Sequence, residues 1–492
     1  MPMRAARLKE ESVLNGTATN GQQWLRLLLS DLVRGAVFPI YDRRQGLAFS
    51  RYLRQLRRFE FAPLQVIEQI QWERLHFVLR HALSNVPYYR ELFTRQGIRI
   101  EEIRNAADFA KLPVLIKTEL QQQARALQAE KSQPREAKSN ATGGSTGTPV
   151  QFYQDDSYWT WAKAAQRFTE SWWGIRAGDR TAPIWGCDRD LATRTWRERC
   201  HHGIQQLRMC NAFALTQDKL EEFAVMLAAW KPRFVVGYAS ALEVFARFLL
   251  ARPQIVVRPH AVKSTAEMLT AQQRETIQAA FNAPVYNFYG SREVNNLAAE
   301  CPAHSGLHVN SLCRFIEIVD DQANPVGAGV PGRILVTDLT NFAMPFIRYE
   351  TGDIAVWSEK SCGCGRAFPL LAEILGRKSD FIVAPSGKII HGEFFTHLFY
   401  DIPEVANFQV SQASLSQLRV EIVLRQGATA CNLSSLRQRI ESALGAGVTC
   451  DIQIVHQLER TASGKHRFTM SSVPVQWNFD GDHRESVLRF EA

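Results

Sequence analysis

The spacing of apolar positions changes character along the chain. Between about Trp24 and Leu79, apolar residues recur at helical intervals among arginines: Trp24, Leu27, Leu28 and Val33, then Leu53, Leu56 and Phe59. A second helical tract covers about Trp72 to Phe93, after which Lys111-Leu-Pro-Val-Leu-Ile-Lys-Thr-Glu breaks the pattern and leads into a Gln-rich segment. From Ser139 to about Gly376, short β-like runs alternate with helical patterns. The runs include Phe234-Val-Val, Phe315-Ile-Glu-Ile-Val and Arg333-Ile-Leu-Val-Thr; the helical patterns cover Lys219 to Trp230 and Ala241 to Leu250. This alternation predicts an α/β architecture of mixed sheets covered by helices. Beyond Gly376 the runs shorten to Phe381-Ile-Val, Phe408-Gln-Val, Leu418 to Leu424 and Asp451-Ile-Gln-Ile-Val, with a helix from about Leu433 to Leu444. The expected organisation is a large domain over residues 1–376, with a helical extension at 1–110, and a compact α+β domain over 377–492.

A chain of 492 residues exceeds one ordinary core, which agrees with two domains. Hydrophobic residues make up 46% and charged residues 22%, a globular balance. The 58 Lys and Arg against 49 Asp and Glu give a formal charge of +9, which suits handling of an anion. A nucleotide, coenzyme A, anionic lipid or nucleic acid would each qualify. No RNP-type aromatic motif, recognition-helix pattern or pair of zinc knuckles accompanies the charge, so nucleic acid is not an expected partner. The segment Trp24-Leu-Arg-Leu-Leu-Leu-Ser-Asp-Leu-Val-Arg is amphipathic and basic, and suits either a membrane surface or packing on the protein's own core. No run reaches the roughly 18 apolar residues a span requires, and Met1 to Asn20 has no secretory apolar core, so the expected location is the cytoplasm. Nine cysteines at scattered spacings argue for free thiols or a metal site rather than a disulfide framework.

The chemistry is carried by several short segments. Ser139-Asn-Ala-Thr-Gly-Gly-Ser-Thr-Gly-Thr-Pro149 is a run of glycines and hydroxyls that no apolar core would choose. Its backbone N–H groups and hydroxyls can converge on phosphate oxygens, although no Walker-type Gly-Lys-Ser/Thr closes it. Asn287-Phe-Tyr-Gly-Ser-Arg-Glu293 pairs flat apolar rings with a hard carboxylate ligand. Arg348-Tyr-Glu-Thr-Gly-Asp353 offers a carboxylate able to accept from both hydroxyls of a vicinal diol. Gly376-Arg377-Lys-Ser379-Asp380 and Arg460-Thr-Ala-Ser-Gly-Lys465 complete the series. Taken singly, each would pass for a polar loop.

In that order and at that spacing, the segments resemble those of the adenylate-forming superfamily. The Ser139–Pro149 run is similar to its phosphate loop, and the resemblance makes Ser139, Thr142, Gly143, Gly144, Ser145, Thr146, Gly147 and Thr148 nucleotide contacts. It implies that Phe288, Tyr289, Gly290 and Ser291 line the adenine site, that Glu293 holds Mg2+, and that Asp353 binds the ribose. Arg377 would contact the nucleotide, Ser379 and Asp380 would form the hinge, and Lys465 would be the cation that catalyses adenylation. Arg292 departs from the pattern, standing where the superfamily has a hydroxyl residue.

Within the superfamily the chain looks most like the phenylacetate-CoA ligase branch and its relatives among capsule and exopolysaccharide biosynthesis proteins. That likeness rests on Val86-Pro-Tyr-Tyr-Arg, Leu112-Pro-Val-Leu-Ile-Lys117, Glu300-Cys-Pro-Ala-His-Ser-Gly-Leu-His308, Pro345-Phe-Ile-Arg-Tyr and Cys362-Gly-Cys-Gly-Arg366. Cys301, His308, Cys362 and Cys364 supply three thiolates and an imidazole, a set that suits structural Zn2+, with His304 competing for the fourth place and buried free thiols as the alternative.

The implied activity is ATP- and Mg-dependent adenylation of a carboxylic acid, then acyl transfer to coenzyme A, by a monomer or homodimer. The acid would lie near Trp185, Phe213, Tyr238, Ser264 and Glu267, where aromatic rings favour an aryl or other apolar acid and core packing accounts for them equally well. One alternative keeps adenylation but passes the acyl group to an amine or hydroxyl of a sugar or amino acid. A second, supported by Arg292, is a non-catalytic member of the fold.

Overall fold

The computed structural model describes residues 47–130, 137–141, 151–185, 206–212, 215, 217–377, 381–386, 389–391, 393–400, 402, 404–425, 427–428, 433–445, 447–458 and 468–473. The Trp24 to Arg34 segment therefore lies outside the described residues. In chain order the principal helices are α1 (Leu47–Phe59), α2 (Leu64–Asn85), α3 (Pro87–Gln96), α4 (Ala106–Phe109), α5 (Lys117–Gln122), α6 (Asp156–Trp172), α7 (Gln217–Trp230), α8 (Ala239–Leu250), α9 (Ala271–Phe281), α10 (Glu393–Tyr400) and α11 (Leu433–Leu444). The expected tract from Trp72 to Phe93 is split at Val86, whose extended backbone (φ −113°) precedes Pro87 at the first turn of α3. A residue before proline is driven out of the helical region, so the helix must stop there. Among the described residues no helix is long and apolar enough to cross a membrane.

The chain divides into two compact units, the first formed by the described residues of Met1–Phe61, Trp159–Gly290 and Ala298–His304. Strands β3 (Thr181–Ile184), β4 (Phe234–Tyr238), β5 (Ala261–Thr265) and β6 (Val285–Tyr289) run parallel in that order, and β7 (Ala298–Glu300) pairs antiparallel with β6. Parallel strands need covered faces, and every residue of β5 is buried. Leu220, Phe223, Ala224 and Leu227 on α7, and Leu242, Phe245, Ala246 and Leu249 on α8, repeat at helical spacing and fill one face. Gly237 on β4 permits this approach, because a Cβ there would stand 2.9 Å from the Leu242 side chain. Thr270 and Gln273 form a capping box that starts α9. On the other face, Trp173, Phe234, Tyr286 and Phe288 form a second apolar cluster.

The second unit comprises Ala62–Tyr158, Ser291–Leu297 and the described residues from Ser305 onward. It opens its sheet structure with the hairpin of β1 (Ala137–Ala141) and β2 (Gln151–Asp155). Antiparallel strands β8 (Leu307–Val309), β12 (Leu370–Arg377), β11 (Tyr349–Trp357), β10 (Pro331–Asp338) and β9 (Arg314–Val319) lie side by side in that order. From Ile382 onward a separate apolar cluster gathers Phe395, Phe408, Val420, Leu436, Ile440 and Ile452. It is built on the hairpin of β13 (Phe381–Val383) and β14 (Ile389–His391), and on a sheet of β15 (Val405–Ser414), β16 (Gln417–Leu424), β17 (Thr449–Ile454) and β18 (Thr469–Ser471).

Arg348 locks the leader Leu112–Lys117 to the central sheet of this unit. Its side chain is 1% exposed and donates to Glu317 Oε2 (3.1 Å), the Ala323 carbonyl (3.0 Å) and the carbonyls of Ala110 and Leu112. Its backbone, held at φ +48°, accepts from the Leu115 N–H, while Glu350 N–H donates to the Leu115 carbonyl. Four acceptors satisfied by one buried cation make this a costly group to remove. Arg348→Met is expected to destabilise the protein by about 3 kcal/mol or more, because Glu317 then remains buried without its partner. Denaturant unfolding checks this against an exposed control such as Arg99→Met.

Candidate active site

Three segments far apart in sequence converge in the second unit. Asp353 on β11 sits directly across from Arg377 on β12, and Arg377 Nε lies 3.4 Å from Asp353 Oδ1. The Thr351 hydroxyl accepts from the Asp353 N–H at 3.2 Å, fixing the bend that presents the carboxylate. Tyr349, at the start of β11, is 2% exposed and interacts electrostatically with Glu293, Asp353 and Arg377 together. Burial, reinforced by the two carboxylates, pushes its phenol well above the ordinary range. Lys117, delivered by the leader that Arg348 clamps, is the nearby cation. Burial lowers its ammonium, the charge of Glu293 opposes that, and Arg377 adds to it.

Glu293 lies in a tightly held turn. Ser291 N–H donates to the Val294 carbonyl (3.1 Å), and Ser291 Oγ accepts from the Val294 N–H (3.0 Å). The Arg292 guanidinium donates to the Ala141 carbonyl at 3.5 Å, so the residue that departs from the superfamily pattern reaches the end of β1, beside the glycine-rich run. Ser139 is exposed on β1 opposite Tyr153, while Thr142, Gly143, Gly144, Ser145, Thr146, Gly147 and Thr148 lie outside the described residues. So do Phe213, Ser379, Asp380 and Lys465.

In the first unit, Phe288 is 7% exposed within the apolar cluster, whereas Tyr289, the last residue of β6, is half-buried. Trp185 and Tyr238 are in ring contact, 4.4 Å between centroids and tilted 31°. Ser264 is fully buried, and its Oγ has no hydrogen-bond partner among the described residues. Glu267 Oε2 accepts from the Ser240 N–H (2.9 Å) in the first turn of α8, where a carboxylate satisfies a helix-terminal donor.

In the second unit His308, Cys362 and Cys364 bring their ligand atoms within 4.8 Å of one another, while Cys301 belongs to the first unit, where it is buried. Cys364 Sγ lies 3.3 Å from His308 Nε2, and the other ring nitrogen lies 3.3 Å from the Phe368 carbonyl. A proton on Nδ1 would leave Nε2 as the lone-pair donor, and burial lowers the His308 pKa, favouring the neutral ring that ligates metals. Thiolate–metal bonds of about 2.3 Å at tetrahedral angles need ligand separations of this order, so the set fits a divalent ion. His304 is engaged elsewhere, stacked on Tyr286 at 5.1 Å with Nδ1 3.4 Å from Glu300 Oε2.

Sequence reasoning quoted Lys117 without giving it a role and passed over Gln154 and Asp155. Only the lysine after the Leu-Pro-Val-Leu-Ile leader left any local signal.

The fold is that of the adenylate-forming ligases. The chain matches a structure described as 2-hydroxyisobutyryl-CoA ligase in the postadenylation state, in complex with R3-HIB-AMP. The TM-score is 0.66 at 19% identity, over 84% of this chain and 91% of that one. In sequence it is similar to phenylacetate-coenzyme A ligase from Aromatoleum evansii, 27% identical over 67% of this chain and 74% of the relative. It is also similar to protein CapK from Staphylococcus aureus, 22% identical over 82% and 89%. Residues 382–472 match the CapK C-terminal domain.

Proposed function

We propose that this chain is an AMP-forming ligase that adenylates a carboxylic acid and passes the acyl group to coenzyme A. The observation that carries the reading is the pairing of Asp353 with Arg377, 3.4 Å apart across β11 and β12, on the strand that the buried Tyr349 begins. The fold and the phenylacetate-CoA ligase relatives point the same way.

In this mechanism Asp353 offers two acceptor oxygens to the ribose hydroxyls, and Arg377 beside it faces the nucleotide's negative charge. The Ser139 to Pro149 run would cradle the phosphates. Glu293 would hold Mg2+, which would supply positive charge to offset that of the phosphates. Lys117 and Lys465 bring positive charge to the reacting groups. A carboxylate oxygen of the substrate bonds to the α-phosphorus, the bond to pyrophosphate breaks, and the acyl adenylate remains. The residues beyond Arg377 then rotate about Ser379 and Asp380, and the thiol sulfur attacks the acyl carbon as AMP leaves. Trp185, Phe213, Tyr238, Ser264 and Glu267 are assigned to the acid. The cluster of Cys301, His308, Cys362 and Cys364 would hold a structural Zn2+, since four protein ligands leave no open position. The absence of a membrane-crossing helix among the described residues suits a cytoplasmic enzyme.

The CapK match favours a second reading in which the same adenylate is passed to an amine or hydroxyl rather than to a thiol. Pyrophosphate and AMP release across a panel of aryl, fatty and amino acids, with and without CoA, separates the two. Release of pyrophosphate that depends on one acid and falls at least about a hundredfold in Lys465→Ala is expected. AMP release that stays slow until CoA is added supports the thioester; acceleration by an amine or sugar instead supports the second reading. Equal pyrophosphate release by wild type and Lys465→Ala would remove Lys465 from the mechanism.

The metal assignment has its own test. Elemental analysis of the purified protein is expected to give zinc in equal number to protein chains, and Cys364→Ser to lose most of it along with thermal stability. A metal-free wild type of unchanged melting temperature would assign the cysteines to packing alone.

A further inference from the structure

Gln154 is a fully buried amide to which the reading above gives no task. It sits near the end of β2, and all of its hydrogen-bonding groups face two other segments. Its Nε2 donates to the carbonyls of Arg292 (3.3 Å) and Glu293 (3.1 Å). Its Oε1 accepts from Asn140 Nδ2 (3.1 Å), and Asn140 in turn accepts from the Ala141 N–H through its own Oδ1 (2.9 Å). One side chain thus joins the carboxylate-bearing turn to the strand that enters the glycine-rich run, and Arg292 repeats the link by donating to the Ala141 carbonyl.

The anchor itself does not move freely. The next residue, Asp155, accepts from the N–H groups of Phe342 (2.8 Å), Ala343 (3.1 Å) and Tyr158 (2.8 Å), and Asn341 donates to the Tyr153 carbonyl (2.9 Å). The far end of the turn is braced as well, by Asn295 N–H donating to the Tyr158 hydroxyl (3.0 Å) and by Arg314 Nε donating to the Asn295 carbonyl (3.0 Å). Between these braces, Gln154 alone contacts the backbone of Glu293 by a described side-chain hydrogen bond.

We infer that Gln154 is a positioning residue that ties the turn carrying Glu293 to strand β1 and so sets where the Glu293 carboxylate would meet Mg2+. This rests on the adenylation reading, in which Glu293 binds Mg2+ and residues 139–149 bind phosphate. Only an amide can do this. Its two N–H bonds fit two carbonyls while its oxygen takes a third partner, whereas a carboxylate of the same shape would face both carbonyls with like partial charge.

The test uses the full chain with Gln154→Met, Gln154→Glu and the milder Asn140→Ala, and Glu293→Gln as reference. Magnesium is titrated against acid-dependent pyrophosphate release. Gln154→Met is expected to raise the half-saturating Mg2+ about tenfold and lower kcat while leaving the KM for the acid unchanged, with Gln154→Glu worse and Asn140→Ala shifted about threefold in the same direction. A merely structural glutamine would lower the melting temperature and leave the Mg2+ dependence of the folded fraction as in the wild type, which overturns the inference. If the wild type releases no pyrophosphate with any acid, the adenylation reading fails and calorimetric binding of Mg·ATP becomes the readout. Weaker binding in Gln154→Met upholds the coupling, equal binding refutes it, and no binding by the wild type refutes both. Should the Gln154 variants not fold, an unshifted Asn140→Ala has the same overturning force.

Discussion

One buried guanidinium sets the geometry on which the candidate site rests. Arg348 is among the largest fully buried side chains of the described residues, and its hydrogen bonds run to four separate stretches: Ala110 to Leu115, Glu317, Ala323, and through its own backbone N–H Thr337. A charge taken out of water must be matched on all sides, so these stretches can pack only where the guanidinium reaches them. The residue after it is Tyr349, which opens β11 and pairs with Leu115 two positions before Lys117. The same residue therefore fixes both the start of the strand that carries Asp353 and the middle of the leader that carries Lys117. A bidentate, planar cation suits this work better than a lysine, because its donors point in fixed directions.

The charges this places together are mixed in sign. Lys117 and Arg377 face Glu293 and Asp353, and Asp353 is compensated by its cross-strand arginine. Under the proposed reading, that mixture would meet a ligand carrying phosphates, a diol and a cation with both signs of charge. The pairing also explains why Asp353 and Arg377, 24 positions apart, occupy opposed register positions on neighbouring strands.

Legibility in the sequence followed the range of the interactions. Helix α11 was read at its observed ends, Leu433 and Leu444, because Leu436, Ile440 and Leu444 repeat at helical spacing on one face. Strands β9 and β10 were legible for the same local reason. The break at Val86 was hidden inside a longer periodic tract, although Pro87 marked it. In the Phe288-Tyr289 pair, both rings were offered to adenine. Strand alternation sends them to opposite sides, and Phe288 is spent in the apolar cluster. His304 and His308 could not be separated by spacing; the difference lies in Tyr286 and Glu300, which engage His304, and in the Phe368 carbonyl beside His308. Lys117 and Gln154 acquire meaning only through partners more than a hundred residues away, and no periodicity records such contacts.

The cysteine and histidine cluster bears on the Asp353–Arg377 pair through a single strand. His308 pairs with Leu370 at the start of β12, Cys362 and Cys364 lie in the connection that enters it, and Arg377 ends it. Strand β11 offers β12 an imperfect template, since their pairing shifts register between Ile354 and Ala355 and again between Val356 and Trp357. Backbone pairing alone therefore leaves alternatives close in energy, and a slip of one residue would turn Arg377 to the opposite face from Asp353. An ion held by His308, Cys362 and Cys364, as proposed, would close the loop at the entry of β12 and fix where the strand begins. Such a constraint at the start of β12 would hold Arg377, at the end of the same strand, opposite Asp353.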